Sequence, residues 1–282
     1  MVSWHYMLEC LTIHRSVMMD KICFIDKNDC MKTCSDEIDK WGYEAIGINI
    51  AHKEGLSGQN IKIAILDTGL PKHSSLQNIV STSFTDDGLF DKMGHSTHIT
   101  GIIKTIAPLA ELCVIKVLDN DGLGKFEWII EGIQHAINWK ADIINLSFGT
   151  PITPPNELKN ICSIAANKKN IIICAAAGNN AKKTLCYPAR YNTVLSVSAI
   201  EKNGNIPKWC NRGITDVYMP SNAYSYALNS GYCMMQGTSQ SAAYASGFIA
   251  LLGKITKEKV LEKMNNMKND NKIPSFKKGE LK

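Results

Sequence analysis

What this chain lacks narrows its class first. No apolar run in its 282 residues approaches the length of ~18 needed to cross a bilayer, so no membrane span is expected. Lys and Arg outnumber Asp and Glu by only 31 to 26, and the resulting charge of +5 is thinly spread apart from the tail KNDNKIPSFKKGELK. That is too dilute for a nucleic-acid footprint, and no nucleic-acid partner is expected. The stretch MVSWHYMLECLTIHRSVMMDK has no basic head followed by a clean apolar segment, so no export signal is read in it. The cysteines include no Cys-x2-Cys pair. The group Cys10, Cys23, Cys30 and Cys34, with His5 and His14 nearby, is too irregular in spacing to be read as a zinc site. Other cysteines sit inside apolar runs such as ELCVIKVL and NIIICAAAG, where a thiol behaves as a small buried hydrophobe. Scattered thiols of this kind fit a reducing cytoplasm, with secretion following only if the true N-terminus lies upstream.

What is present is apolar material, 45% of the residues, enough for a sizeable core. From residue 61 onward short apolar runs alternate with segments of helical period. IKIAILD (61–67), ELCVIKVLD (111–119), ADIINLSFG (141–149) and IIICAAAG (171–178) are continuously apolar, as strands covered on both faces are. Between them, FEWIIEGIQHAINWK places Phe126, Ile129, Ile130, Ile133 and Ile137 at steps of three and four, the stripe of a helix lying on a sheet. The fold class is therefore α/β, in three layers, with a mostly parallel sheet and helices on both faces. One domain is expected over residues 41–270, preceded by an extension, 1–40, and followed by a basic tail, 271–282.

Three places combine a strand end or helix start with chemistry-bearing residues. Asp67 ends IKIAILD and is followed by Thr68 and Gly69, which permit a sharp exit; a carboxylate there can equally cap a turn. GHSTHITGII puts His95 and His98 at metal-ligand spacing, yet the glutamate of a His-Glu-x-x-His helix is missing and no metal is expected. QGTSQSAAYASGF opens a helix with Ser239 near its N-terminus, where dipole and unused amides favour an oxyanion; an ordinary N-cap serine would look the same. A helix-starting His95 near the strand-end Asp67 makes a different pair, since the carboxylate can orient the ring and stabilise it once protonated.

These segments resemble the subtilisin-like serine proteases: IKIAILDTG their aspartate strand, GHSTHITG their histidine helix, GTSQSAAYASG their serine helix. KVLDNDGLGKFEWIIEGIQHAI and IINLSFG are similar to the segments flanking the substrate cleft, and IIICAAAGNN to the strand ending in the oxyanion-hole asparagine. The resemblance implies a serine endopeptidase with catalytic Asp67, His95 and Ser239 and with Asn179 as oxyanion donor. It implies a polypeptide substrate in extended form on the edge NLSFG (145–149), and a specificity pocket walled by Ser147, Phe148 and Gly149 and by Ala176, Ala177 and Gly178. Cys186, where the family commonly has glycine, would lie near the floor. A non-catalytic scaffold that binds peptides is the alternative.

Departures from the pattern are also legible. Ser96 replaces a glycine, Gln240 and Ser241 stand for Met and Ala, and Ala243 stands for a frequent proline. Almost nothing remains between GIIK and TIAP of a loop that in the family holds calcium, and Ser75 stands where a calcium-binding aspartate is usual. No cofactor is therefore expected.

Overall fold

The computed structural model describes residues 40–277 and the backbone of the short strand β1 (Cys23–Phe24). Cys10, Cys30, Cys34, His5 and His14 lie outside the described residues, as does the side chain of Cys23. After β1 come helices α1 (Trp41–Ala45) and α2 (Ile48–Lys53), then strands β2 (Lys62–Asp67) and β3 (Val80–Ser83) and helix α3 (His95–Ile106). β4 (Glu111–Lys116), β5 (Leu123–Gly124), α4 (Phe126–Asn138), β6 (Ile143–Leu146), α5 (Asn156–Ser163), β7 (Ile172–Ala176), β8 (Leu195–Ile200) and β9 (Val217–Pro220) follow. A hairpin of β10 (Asn222–Tyr226) and β11 (Tyr232–Gln236) leads into α6 (Thr238–Leu252), and α7 (Lys257–Asn266) closes the list of elements.

Seven strands form one parallel sheet in the order β3-β4-β2-β6-β7-β8-β9. In β2 the side chains alternate between two cores: Ile63 and Ile65 face α3 and α6, while Ala64 and Leu66 face α4 and α5. This is why the run reads as unbroken apolar sequence, since both faces of the pleat are covered. β2, third of the seven strands, pairs in register with β4 on one side and β6 on the other, which places its end, at Asp67, inside the carboxyl edge of the sheet.

α6 is buried from Thr238 through Leu251, so it runs through the core rather than over it. Its small residues let α3 come close: a Cβ on Gly247 would stand 2.8 Å from Ile106 Cβ. Ile273 and Phe276 are also buried, Phe276 stacks on Phe248 with ring centroids 4.5 Å apart, and its N–H donates to Ile46 O at 3.1 Å. This apolar pair closes the end of the core beside α6.

Candidate active site

At the carboxyl edge, Asp67 ends β2 and His95 opens α3. His95 Nδ1 lies 2.8 Å from Asp67 Oδ1 and 3.0 Å from Oδ2, with both side chains buried. Nδ1–H donating to the carboxylate leaves Nε2 as the basic nitrogen of the ring. Asp67 also caps its turn, Oδ1 accepting from Thr68 N at 2.7 Å, so one carboxylate meets both the turn and the imidazole.

The start of α3 is held by a residue the sequence did not single out. Asp91 accepts from Gly94 N at 2.8 Å, from Thr97 N at 2.8 Å and from the Thr97 hydroxyl at 2.6 Å, satisfying first-turn amides that have no partner within the helix. The Thr68 hydroxyl donates to Asp91 at 2.9 Å and accepts from Ser96 N at 3.0 Å, which locks the aspartate turn to the histidine helix. An Asp a few residues ahead of a helix was the available signal. Lys116 was another, a lone charge in an apolar strand: its buried ammonium donates to Thr68 O at 2.5 Å and Leu118 O at 3.0 Å. Burial pushes its pKa down, and the carboxylates of Asp87, Asp91, Asp119 and Asp67 oppose that shift.

His98 does not converge with His95. Its Nε2–H donates to Ala223 O (3.1 Å) and Cys233 O (3.3 Å) of the hairpin, and burial pushes its pKa down to about 3. The pair is therefore divided between two tasks, one ring facing Asp67 and the other pinning β10 to β11.

Ser239 is the second residue of α6, not its N-cap. The N-cap is Gly237, which makes no side-chain cap, and Ser239 Oγ instead donates to Ser147 O at 2.8 Å while Ser147 Oγ donates to Ser239 O at 2.9 Å. The ordinary capping explanation fails on this geometry, since a capping oxygen accepts from an amide one turn on. A chain of bonds stiffens the mounting: Ser246 Oγ donates to Asn145 Oδ1 (3.0 Å), and Asn145 Nδ2 donates to Ser147 Oγ (2.8 Å). Beside Ser239, Gln240 is fully buried, and among the described residues neither of its amide atoms, nor Ser96 Oγ, has a hydrogen-bond partner.

Asn179 follows β7 and meets α6 through Thr238. The expected wall residues gather around Cys186, whose N–H donates to Ala177 O at 2.9 Å. A Cβ on Gly149 would come within 2.8 Å of Cys186 Cβ, and one on Gly178 within 2.7 Å of its Sγ, so the Cys186 side chain lies close to both glycines. Two details of the structure bear on the expected pocket and edge. The Phe148 ring is buried in the core with Leu66, Leu146 and Ile173, so only its backbone is available to a pocket. Asn145 and Leu146 lie within β6, flanked by β2 and β7, so a backbone edge can begin only at Ser147. A second edge is visible at β5, where Leu123 and Gly124 pair antiparallel with Phe24 and Cys23.

The segment where the family carries its calcium loop is short in this chain. α3 runs unbroken through Lys104 and Thr105, Ser75 supplies no carboxylate, and no cluster of His, Cys, Asp or Glu suited to a metal occurs among the described residues. No helix among them is long and apolar enough to cross a membrane.

A parallel three-layer sheet with a buried aspartate–histidine pair and a helix-borne serine at one edge is the arrangement of subtilisin-like serine endopeptidases. The comparison with known families agrees, and the chain belongs to the subtilase family, whose model matches residues 58–270. It is similar to the major intracellular serine protease of Bacillus subtilis (strain 168), 35% identical over 237 residues that span 75% of this chain and 74% of that protein. It is also similar to subtilisin BL of Lederbergia lenta, at 32% over 225 residues, 75% of this chain and 83% of that one. With the thermostable alkaline protease of Halalkalibacterium halodurans the identity is 32%, and the chain spans 62% of that relative's length. The protein is thus a subtilisin-like serine endopeptidase acting on polypeptide.

Proposed function

We propose that Ser239 is the nucleophile, His95 its general base and later general acid, and Asp67 the group that orients the ring and stabilises it when protonated. The observation that carries this is the short Asp67–His95 bond at the strand edge beside α6. Attack begins when the Ser239 hydroxyl turns from Ser147 O to His95 Nε2 and adds to the scissile carbonyl. The developing oxyanion is met by Asn179 Nδ2 and the Ser239 amide at the positive end of α6. Collapse expels the amine, which takes the proton from His95, and leaves an acyl group on Ser239. Water then repeats the sequence and releases the acid.

The substrate adds as an extended strand between Ser147–Gly149 and the β5 edge, and the pairing of β5 with Cys23–Phe24 supports β5 as a receptor for a strand. The side chain before the cut bond enters between the two walls and ends on Cys186. The proposed setting is the cytoplasm, supported by the intracellular relative and by six buried thiols, with protein turnover or trimming of a precursor or leader peptide as the task. The test of the nucleophile is Ser239→Ala: casein cleavage falls on the order of 10⁶-fold with the fold retained by circular dichroism. Cleavage at the parent's rate would reject the assignment and favour a peptide-binding scaffold.

A further inference from the structure

Asn211 belongs to no strand or helix and to no motif considered above, yet it is almost fully buried, and its N–H, Oδ1 and Nδ2 all have defined partners. Its N–H donates to Gly178 O at 2.9 Å. Its Oδ1 accepts from Asn180 N at 3.2 Å and from Lys182 N at 3.0 Å. Its Nδ2 donates to Cys186 Sγ at 3.4 Å. One side chain therefore spans from the thiol between the two pocket walls to the loop that carries Asn179.

The surrounding backbone makes this link stiff. Ala181 N donates to Trp209 O (2.8 Å) and Arg212 N to Lys182 O (2.7 Å), so residues 209–212 are laced along the 178–182 loop with Asn211 at the centre. Gly178, at φ +108°, is what allows the approach: a Cβ there would stand 2.5 Å from Asn211 Nδ2. Few side chains could replace Asn211, because the site demands a double acceptor and a donor on one short, planar group.

We propose that Asn211 is a positioning residue that couples the floor of the specificity pocket to the oxyanion donor. This rests on the protease reading above. A side chain seated on Cys186 presses on a sulfur bonded to Asn211, and Asn211 sets the backbone on either side of Asn179. The size of the residue before the cut bond is then expressed in kcat, through placement of Asn179 Nδ2, and not only in KM. A loop staple with no link to the pocket would lower kcat equally for every substrate.

The experiment compares Asn211→Ala, Cys186→Ala and the double variant on two peptides differing only in Ala or Leu before the cut bond. Rates are expressed per active site titrated with a fluorophosphonate. Asn211→Ala is expected to lower kcat by about 10–100-fold with KM shifted less than about threefold, a misplaced donor being costly even for small displacements. The Leu-to-Ala ratio in kcat should change at least about fivefold in the parent background, and the change should vanish when Cys186 is already Ala. Asn211→Ser, which keeps one acceptor and loses the Nδ2 donor, gives the same ratio test should the alanine variant fail to fold. An unchanged kcat, or an equal fall on both peptides, overturns the proposal while leaving the protease reading intact. Absence of fluorophosphonate titration in the parent would instead reject that reading.

Discussion

Thr238 grips the side-chain oxygen of Asn179 twice, through its backbone N–H at 2.9 Å and its hydroxyl at 2.8 Å. The same hydroxyl accepts from Gly178 N at 3.0 Å, so the residue just before Ser239 fixes both the amide plane of Asn179 and its backbone approach. With Oδ1 held by Thr238, the Nδ2 end is turned the other way. Thr238→Val keeps the backbone donor and removes the hydroxyl. It should lower kcat by about 10-fold with little change in KM, the mark of an interaction felt mainly in the transition state. For Asn179→Ala the expected loss is ~10²–10³-fold in kcat, the magnitude known for the corresponding donor in subtilisin. Steady-state kinetics on a chromogenic peptide measures both.

The proposed floor of the specificity pocket is Cys186. Because the Cys186 side chain lies close to both Gly149 and Gly178, the protein should prefer Leu, Met or Ala over Phe or Tyr before the cut bond. Cys186→Gly should move that preference toward the aromatics by on the order of 10-fold in kcat/KM, the scale of a methylene or two in an apolar pocket. A peptide library on the parent in which Phe and Tyr dominate would refute the assignment of Cys186 to the floor.

The pairing of Cys23–Phe24 with Leu123–Gly124 uses a backbone edge that the proposed substrate strand also needs. A chain beginning at Lys40 should therefore bind peptide more tightly, with KM reduced several-fold and kcat per titrated site unchanged. Equal KM in both forms would show that this pair and the substrate do not compete.

The architecture was legible because the sheet is buried on both faces, so β2, β4, β6 and β7 each appear as an unbroken apolar run. The hairpin β10–β11 was not, since Ala223 and Ser225 alternate with half-exposed tyrosines and polar residues in a pattern no apolar run marks. Of the site, Asp67, His95, Ser239 and Asn179 each lie at a strand end or helix start and could be read from local motifs. Asp91, Lys116, Thr238 and Asn211 could not be ranked that way. Their roles come from partners distant in sequence, as when Asn211 meets Gly178 and Cys186, and nothing in their own neighbourhood announces it. Phe148 shows what a motif leaves out: packing holds its ring in the core, which its place in NLSFG did not announce.

His98 makes stability sensitive to acid. Its folded pKa, about 3, lies below the ordinary value near 6.5, chiefly because burial penalises the charged ring, with His95 adding to the shift. Between those values the unfolded chain binds a proton that the folded chain excludes, so stability rises with pH there. The contribution, on the order of 4 kcal/mol, is complete above pH ~6.5 and is lost as pH falls through ~3. Nuclear magnetic resonance should show the His98 ring neutral at pH 5, and a ring titrating near 6.5 would contradict the burial argument.

The central claim is that Ser239 is activated by the buried His95–Asp67 pair. Its most direct test is the rate of fluorophosphonate labelling, with the modified residue located by mass spectrometry, in the parent and in His95→Ala and Asp67→Ala. The account predicts a single adduct on Ser239 in the parent and labelling slowed by about 10³-fold or more in both variants. Labelling of another residue, or of Ser239 at an undiminished rate in the variants, would contradict it.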